Sequence, residues 1–247
     1  MSTSFCFAGA SYSNSAPLLW MLKKRNSQDR LLHGVPSSLL SELLNGGVDA
    51  ALLPVVHLLA HPELEILTHL GVATDGAVKS VLLKCAVPVD QVVSVQRDSA
   101  SATSNVLAHL LLEKHFGRKV EWVQRGAVAD AVVQIGDRAL CSEKAVSGDV
   151  DLGAAWKEMT GLPFVFAVWA VRKDSPYSEA LAHRVVSAYE EGQKHISEMA
   201  DYYMQRLGFS NSFWMEYLSE TIHYQLADQD LAGMELFERL RKGEEGA

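Results

Sequence analysis

Three short segments of this chain place hydroxyls, amides and small residues where a strand gives way to a helix, a combination suited to holding an oxyanion. The first is Ser11-Tyr12-Ser13-Asn14, ahead of a helix with Pro17 in its first turn. The second is Ser101-Ala102-Thr103-Ser104, next to Ser99, where hydroxyls and first-turn amides converge without a lysine. The third is Ile135-Gly136-Asp137, at the end of an apolar strand, where Gly136 lets a ligand approach the backbone and Asp137 orients a neighbour. Ser80, after Lys79 and ahead of a strand, is a fourth candidate contact. Each has a plain alternative: Ser, Thr, Asn and Asp are the residues that cap helices.

Other chemistries lack their signatures. The chain has no GxGxxG after a strand, no GxxxxGK[ST], no GxSxG and no CxxC, which removes the usual support for nucleotide cofactors, serine hydrolases and zinc ribbons. His57 and His61 have metal-ligand spacing on a helix, but no HExxH glutamate accompanies them, so we expect neither metal nor cofactor. Trp156, Phe164, Phe166 and Trp169 read as core aromatics, with Trp169 also a candidate substrate contact.

The elements that must position these residues alternate. Phe5 to Ala10, Leu31 to Val35 and Asp49 to Val55 read as strands, separated by helices from Pro17 to Lys24 and from Pro36 to Leu44, the latter stopped by Gly46-Gly47. Strands near Glu65 to Thr74 and Ser80 to Val87 close a first half. A second half runs through strands at Gln91 to Gln96, Val120 to Val123, Ala131 to Ile135 and Phe164 to Val171, with a helix from Ser101 to Phe116 and another from Asp137. The dry strand after Gly161-Leu162-Pro163 is expected to be buried on both faces, as in a parallel sheet. From Pro176 onward only helices are expected: Pro176 to Met199, a second through Leu207, Ser212 to Thr221 and Asp228 to Arg241, then a charged tail. The reading is a two-lobed α/β clamp of mixed, mostly parallel sheets with a helical C-terminal segment, residues 1–87 with 173–247 forming one lobe and 88–172 the other, and a cleft where the chain crosses between them.

Composition bounds the function. The 247 residues are 48% hydrophobic, enough to bury a core without disulfide or metal staples. Thirty acidic against 22 basic residues give a net charge of −8, which disfavours nucleic acid and anionic membranes as partners and requires local donors for any anionic ligand. Cys6, Cys85 and Cys141 are far apart in apolar surroundings and read as buried, reduced thiols. The start, MSTSFCFAGASYSN, lacks a basic n-region and apolar h-region, and no stretch of about 18 apolar residues follows, so the expected location is cytoplasmic.

GASYSNSAPL at 9–18, VKSVLL at 78–83, SATS at 101–104, QIGDRAL at 134–140 and DLGAAWKEMTGLPFVFAVWA at 151–170 resemble the chorismate dehydratase family of the futalosine route to menaquinone. The likeness covers nearly the whole chain through residue 172 and implies a periplasmic-binding-protein type II fold used as an enzyme. It implies a cofactor-independent hydro-lyase acting on a dicarboxylate, converting chorismate to 3-(1-carboxyvinyloxy)benzoate. It further implies that the substrate's own enolpyruvyl carboxylate takes the proton while an asparagine, matched here by Asn14, orients it. Ser11 and Ser80 then serve one substrate end, Ser101, Thr103 and Ser104 a carboxylate, and Gly136 the ring. The family pattern Pro-Ser-x-Glu is replaced here by Pro54-Val55-Val56-His57. A different class remains open: a carboxylate-binding protein or sensor that keeps the clamp without turnover.

Overall fold

The computed structural model describes residues 4–24, 29–124 and 126–244, so the end of the charged tail, 245–247, lies outside the described residues. The chain divides into two compact units, Met1–Ala73 with Phe166–Ala227 and Thr74–Val165 with Asp228–Ala247. This differs from the division expected from sequence. The strand at 81–85 hydrogen-bonds into the second unit's sheet, the strand at 164–172 into the first unit's, and the last helix belongs with the second unit rather than the first.

Among the described residues the first unit contains β1 (Cys6–Gly9), α1 (Ala16–Lys24), β2 (Arg30–His33), α2 (Pro36–Leu44), β3 (Ala50–Pro54), α3 (Val55–Ala60) and β4 (Leu64–Thr74). The second follows with β5 (Val81–Cys85), β6 (Ser94–Gln96), α4 (Ala102–Leu110), β7 (Glu121–Val123), β8 (Ala131–Ile135), α5 (Gly136–Cys141), β9 (Asp149–Asp151) and α6 (Leu152–Thr160). The chain then returns through β10 (Phe164–Arg172), α7 (Ser178–Gln193), α8 (Ile196–Leu207), α9 (Asn211–Glu216) and β11 (His223–Gln225), and ends in α10 (Asp228–Arg241) in the second unit.

The sheet orders are β11-β4-β10-β3-β1-β2 and β7-β6-β8-β5-β9. Both are mixed. In the first, β1 runs parallel to β2 and β3, while β10 runs antiparallel to β3, with Trp169 opposite Leu52. In the second, β6 is parallel to β7 and β8, and β5 is antiparallel to β8 and β9. The dry run of β10 is buried nearly throughout, as expected, but its direction along β3 is antiparallel. A continuous apolar run reports burial on both faces and leaves direction undetermined.

Three further differences are local. The helix expected over 176–199 is two helices, α7 and α8, separated at Lys194-His195. β9 and β11 are strands of three residues each, too short for a period-of-two pattern to register, and β11 overturns the expectation of helices only after Pro176. Among the cysteines, Cys85 is buried, Cys6 is half-buried and Cys141 is exposed.

Each unit has its own core. In the first, Phe7 on β1 meets the Trp169 ring edge-on at 6.0 Å, and both are fully buried. In the second, Trp156 on α6 meets Phe164 at 5.2 Å and Phe237 of α10 at 6.1 Å, and its indole N–H donates to the Pro163 carbonyl at 3.1 Å. A cluster of this kind holds α10 in the second unit, since removing one such aromatic costs roughly 3–5 kcal/mol. Gly233 allows the approach: a Cβ there would sit 2.3 Å from the Pro163 carbonyl oxygen.

Candidate functional site

In the first unit, β1 ends at Gly9 and the chain makes a single turn of tight helix, Ser13–Ser15, before α1. The Ser15 hydroxyl donates to the carbonyls of Ala10 and Tyr12, at 2.7 and 2.8 Å, so it braces the turn instead of accepting the helix's amides. The Asn14 side chain makes no hydrogen bond among the described residues and is half-buried. The capping alternative therefore does not describe Asn14. Its amide sits on a braced turn with both donor and acceptor capacity left over. Ser11 is exposed and shares a 2.7 Å hydrogen bond with Nδ1 of His33, a partner that its sequence neighbourhood did not reveal.

In the second unit, Ser101 is the N-cap of α4: its hydroxyl accepts from the Ser104 amide at 3.2 Å and donates to the Ser104 hydroxyl at 2.7 Å. Capping is thus what Ser101 does, and it fixes the Ser104 hydroxyl while doing so. Ser101, Thr103 and Ser104 are all buried, as is Ser80. Ser80 and Gly136 are brought together, because the Gly136 amide donates to the Ser80 carbonyl at 2.8 Å where β5 and β8 pair. Gly136 has φ +64, in the left-handed region where a side chain is strained, so glycine is the residue this strand-to-helix step takes. Asp137 occupies the first turn of α5, where its carboxylate suits the helix dipole, and it raises the pKa of the Cys141 thiol in addition to the larger effect of burial.

Trp169, a candidate substrate contact from sequence, is fully buried in the first unit's core with its ring edge-on to Phe7, and its indole N–H has no hydrogen-bond partner among the described residues. Val55 begins α3 fully buried, and His57 follows on the same helix. Burial, and then the neighbouring His61, hold the His57 imidazole below its ordinary pKa. His61 itself engages Glu63 at 3.1 Å. Burial, aided by Asp149, pushes the Cys85 thiol up to about 11.

Two carboxylates that organise these segments escaped the sequence reading. Asp151 accepts four backbone amides, from Val78 at 3.0 Å, Lys79 at 2.7 Å, Gly153 at 3.0 Å and Ala154 at 3.1 Å. It caps α6 and at the same time holds the turn that presents Ser80, where Lys79 adopts φ +62. Such backbone strain costs on the order of 1 kcal/mol and persists only where surrounding bonds impose it. Asp98 is the second: Oδ1 accepts from the Ala100 amide at 2.9 Å and Oδ2 pairs with Arg138 of α5, while its backbone exchanges hydrogen bonds with Asn105 at 3.0 and 2.8 Å. It thereby ties the segment before α4 to the helix that begins at Gly136. The available signals were an Asp immediately before an apolar helical run for Asp151, and a turn-forming Asp-Ser-Ala-Ser for Asp98.

Within the second unit, Ser101 and Ser104 are fixed against each other at the start of α4 and Ser80 against Gly136 where β5 and β8 pair, with the Ser104 and Gly136 amides already hydrogen-bonded. In the first unit the Asn14 carboxamide sits on a braced turn with no hydrogen bond among the described residues.

Comparison with known proteins bears on the whole chain. The protein family described as Menaquinone biosynthesis matches residues 7–242. The chain is 32% identical over 249 residues to the chorismate dehydratase of Thermus thermophilus, covering 92% of this chain and 91% of that protein. It is 34% identical over 183 residues to the chorismate dehydratase of Campylobacter jejuni, covering 71% of each. In fold it is similar to the periplasmic aliphatic sulphonate binding protein of Escherichia coli, with a TM-score of 0.62 at 14% identity over 98% of this chain and 88% of that one. The α/β architecture is accordingly that of the periplasmic binding proteins, and the chain belongs to the menaquinone-biosynthesis family alongside these chorismate dehydratases.

Proposed function

We propose that this protein is a chorismate dehydratase that removes water from chorismate to give 3-(1-carboxyvinyloxy)benzoate, in the futalosine route to menaquinone. The observation that carries the reading is Asn14: a carboxamide with no side-chain partner among the described residues, on a turn braced by Ser15, in a chain whose relatives bear that activity over most of its length. The hydrogen on the ether-bearing ring carbon leaves as a proton, its electron pair enters the ring, and the neighbouring hydroxyl departs, so that proton and hydroxide together make the water lost. Aromatisation drives the step. The substrate's enolpyruvyl carboxylate accepts the proton, and Asn14 holds that carboxylate over the hydrogen; Ser11 and Ser80 hold one end of the substrate. Ser101, Thr103 and Ser104 hold a carboxylate at the start of α4, and Gly136 lies against the ring. Asp137 lends its place in the first turn of α5. The protein works in the cytoplasm on a small dicarboxylate, without metal or nucleotide.

The test is incubation of the purified chain with chorismate alone, following the aromatic product by absorbance and mass. Product formation that persists in EDTA is the expected result. Tight binding of chorismate without product would instead make the chain a carboxylate sensor.

A further inference from the structure

The second unit contains a cavity of about 340 Å³ that none of the residues assigned to chorismate lines. Its charged side chains are Lys84, Arg97, Asp98 and Arg138, and Ser99 and Gln134 also face it. Three of the four are already matched. Lys84 is held by Asp149 at 2.9 Å, by the Ser142 hydroxyl at 3.0 Å and by the Glu143 carbonyl at 2.6 Å, and Asp98 is paired with Arg138.

Arg97 is left over. Its guanidinium lies 4.8 Å from the centre of the Trp122 ring and makes no ion pair among the described residues. A guanidinium carries five N–H donors, and contact with an aromatic ring leaves donors that can receive a carboxylate or phosphate in bidentate fashion. The side chains of Gln134 and Ser99 likewise make no hydrogen bond among the described residues, so their donors add to those of Arg97. Arg97 is exposed, and in a chain of net charge −8 a cation with no ion pair among the described residues is the local exception that an anion would find.

The cavity also extends away from the segments assigned to the substrate. Lys84 stands opposite Val132 and four residues beyond Ser80, about 13 Å along an extended strand.

We infer that this cavity is a second binding site, taking a small oxyanion that Arg97 grips through its guanidinium edge with Gln134 and Ser99. The inference is independent of the dehydratase reading. The shared chemistry admits two sources, an inorganic or esterified phosphate and an organic carboxylate, and the test separates them. Inorganic phosphate and benzoate are each titrated into the purified full-length protein by calorimetry. We expect saturable binding of at least one, with Kd on the order of 1 mM, weakened about tenfold in Arg97→Met and measurably in Gln134→Leu, both variants keeping the native circular dichroism spectrum. Phosphate binding alone identifies a phosphate site; benzoate binding identifies a carboxylate site. The isotherm is expected to be unchanged when chorismate is present at saturation. Absence of saturable binding, an unchanged Kd in Arg97→Met, or displacement by chorismate would each overturn the second site.

Discussion

Asn14 and Asp151 behave in opposite ways, and each suggests a different experiment. Asp151 has spent its carboxylate on four amides, so Asp151→Ala removes charge-assisted bonds from both the Ser80 turn and the start of α6. We expect a loss of about 2 kcal/mol, read as a lowered urea midpoint, with an unchanged m value. His57 gives a pH dependence. Because burial lowers its folded pKa, the unfolded chain takes up a proton at this position at higher pH than the folded one does. The stability it supports is present above about pH 6.5 and is lost as pH falls toward the folded value. His57→Gln should flatten the acid limb of the urea-midpoint profile as pH falls below the ordinary histidine value of about 6.5, and an unaltered limb would show that His57 does not contribute to it. Among the thiols, Cys141 is exposed whereas Cys85 is buried with its pKa raised to about 11. A disulfide reagent should therefore modify Cys141 well before Cys85, as peptide mass mapping would show.

Among the elements, the strand-to-helix steps hold the candidate site residues, and they are also what the sequence makes easiest to read. The strand at 131–135 and the helix at 228–241 have the bounds the pattern predicts, because strong apolar periodicity and clear end signals coincide there. The hydroxyl and glycine clusters at 101–104 and 136 lie where helices begin, as expected. What stayed hidden depends on partners distant in sequence: Asp98 reaching Arg138 across 40 residues, and Asp151 reaching Val78 across 73. Local spacing carries no trace of such pairs. An aromatic residue on a strand has the same appearance in sequence whether its ring meets a core neighbour, as Trp169 meets Phe7, or a ligand. The Asp98 link yields its own prediction. In Asp98→Ala, the Ala100 amide and Arg138 lose their shared acceptor, and the segments before α4 and α5 lose their tie. The KM for chorismate should rise about tenfold while the fold persists, which steady-state kinetics and circular dichroism together would establish.

For the molecule as a whole, the alternation of strands and helices announced an α/β protein, but the bounds of its two units followed hydrogen bonding that no window of sequence contains. β5 reads as the end of a first half and pairs instead with β8 and β9; α10 follows a run of first-unit helices and instead joins Trp156 and Phe164 in the second unit. The net charge of −8 agrees with a protein that holds its anionic ligand through short-range donors rather than through its overall field. In the proposed reaction catalysis is by positioning: a carboxamide on a braced turn and hydroxyls at a helix start would act on a substrate that supplies its own base. The most direct measurement is the kcat and KM of Asn14→Ala against the unaltered protein with chorismate as substrate. We predict a kcat lowered by about a hundredfold or more with KM changed by only a few-fold, because the interaction is used in the transition state. An unchanged kcat would contradict the account.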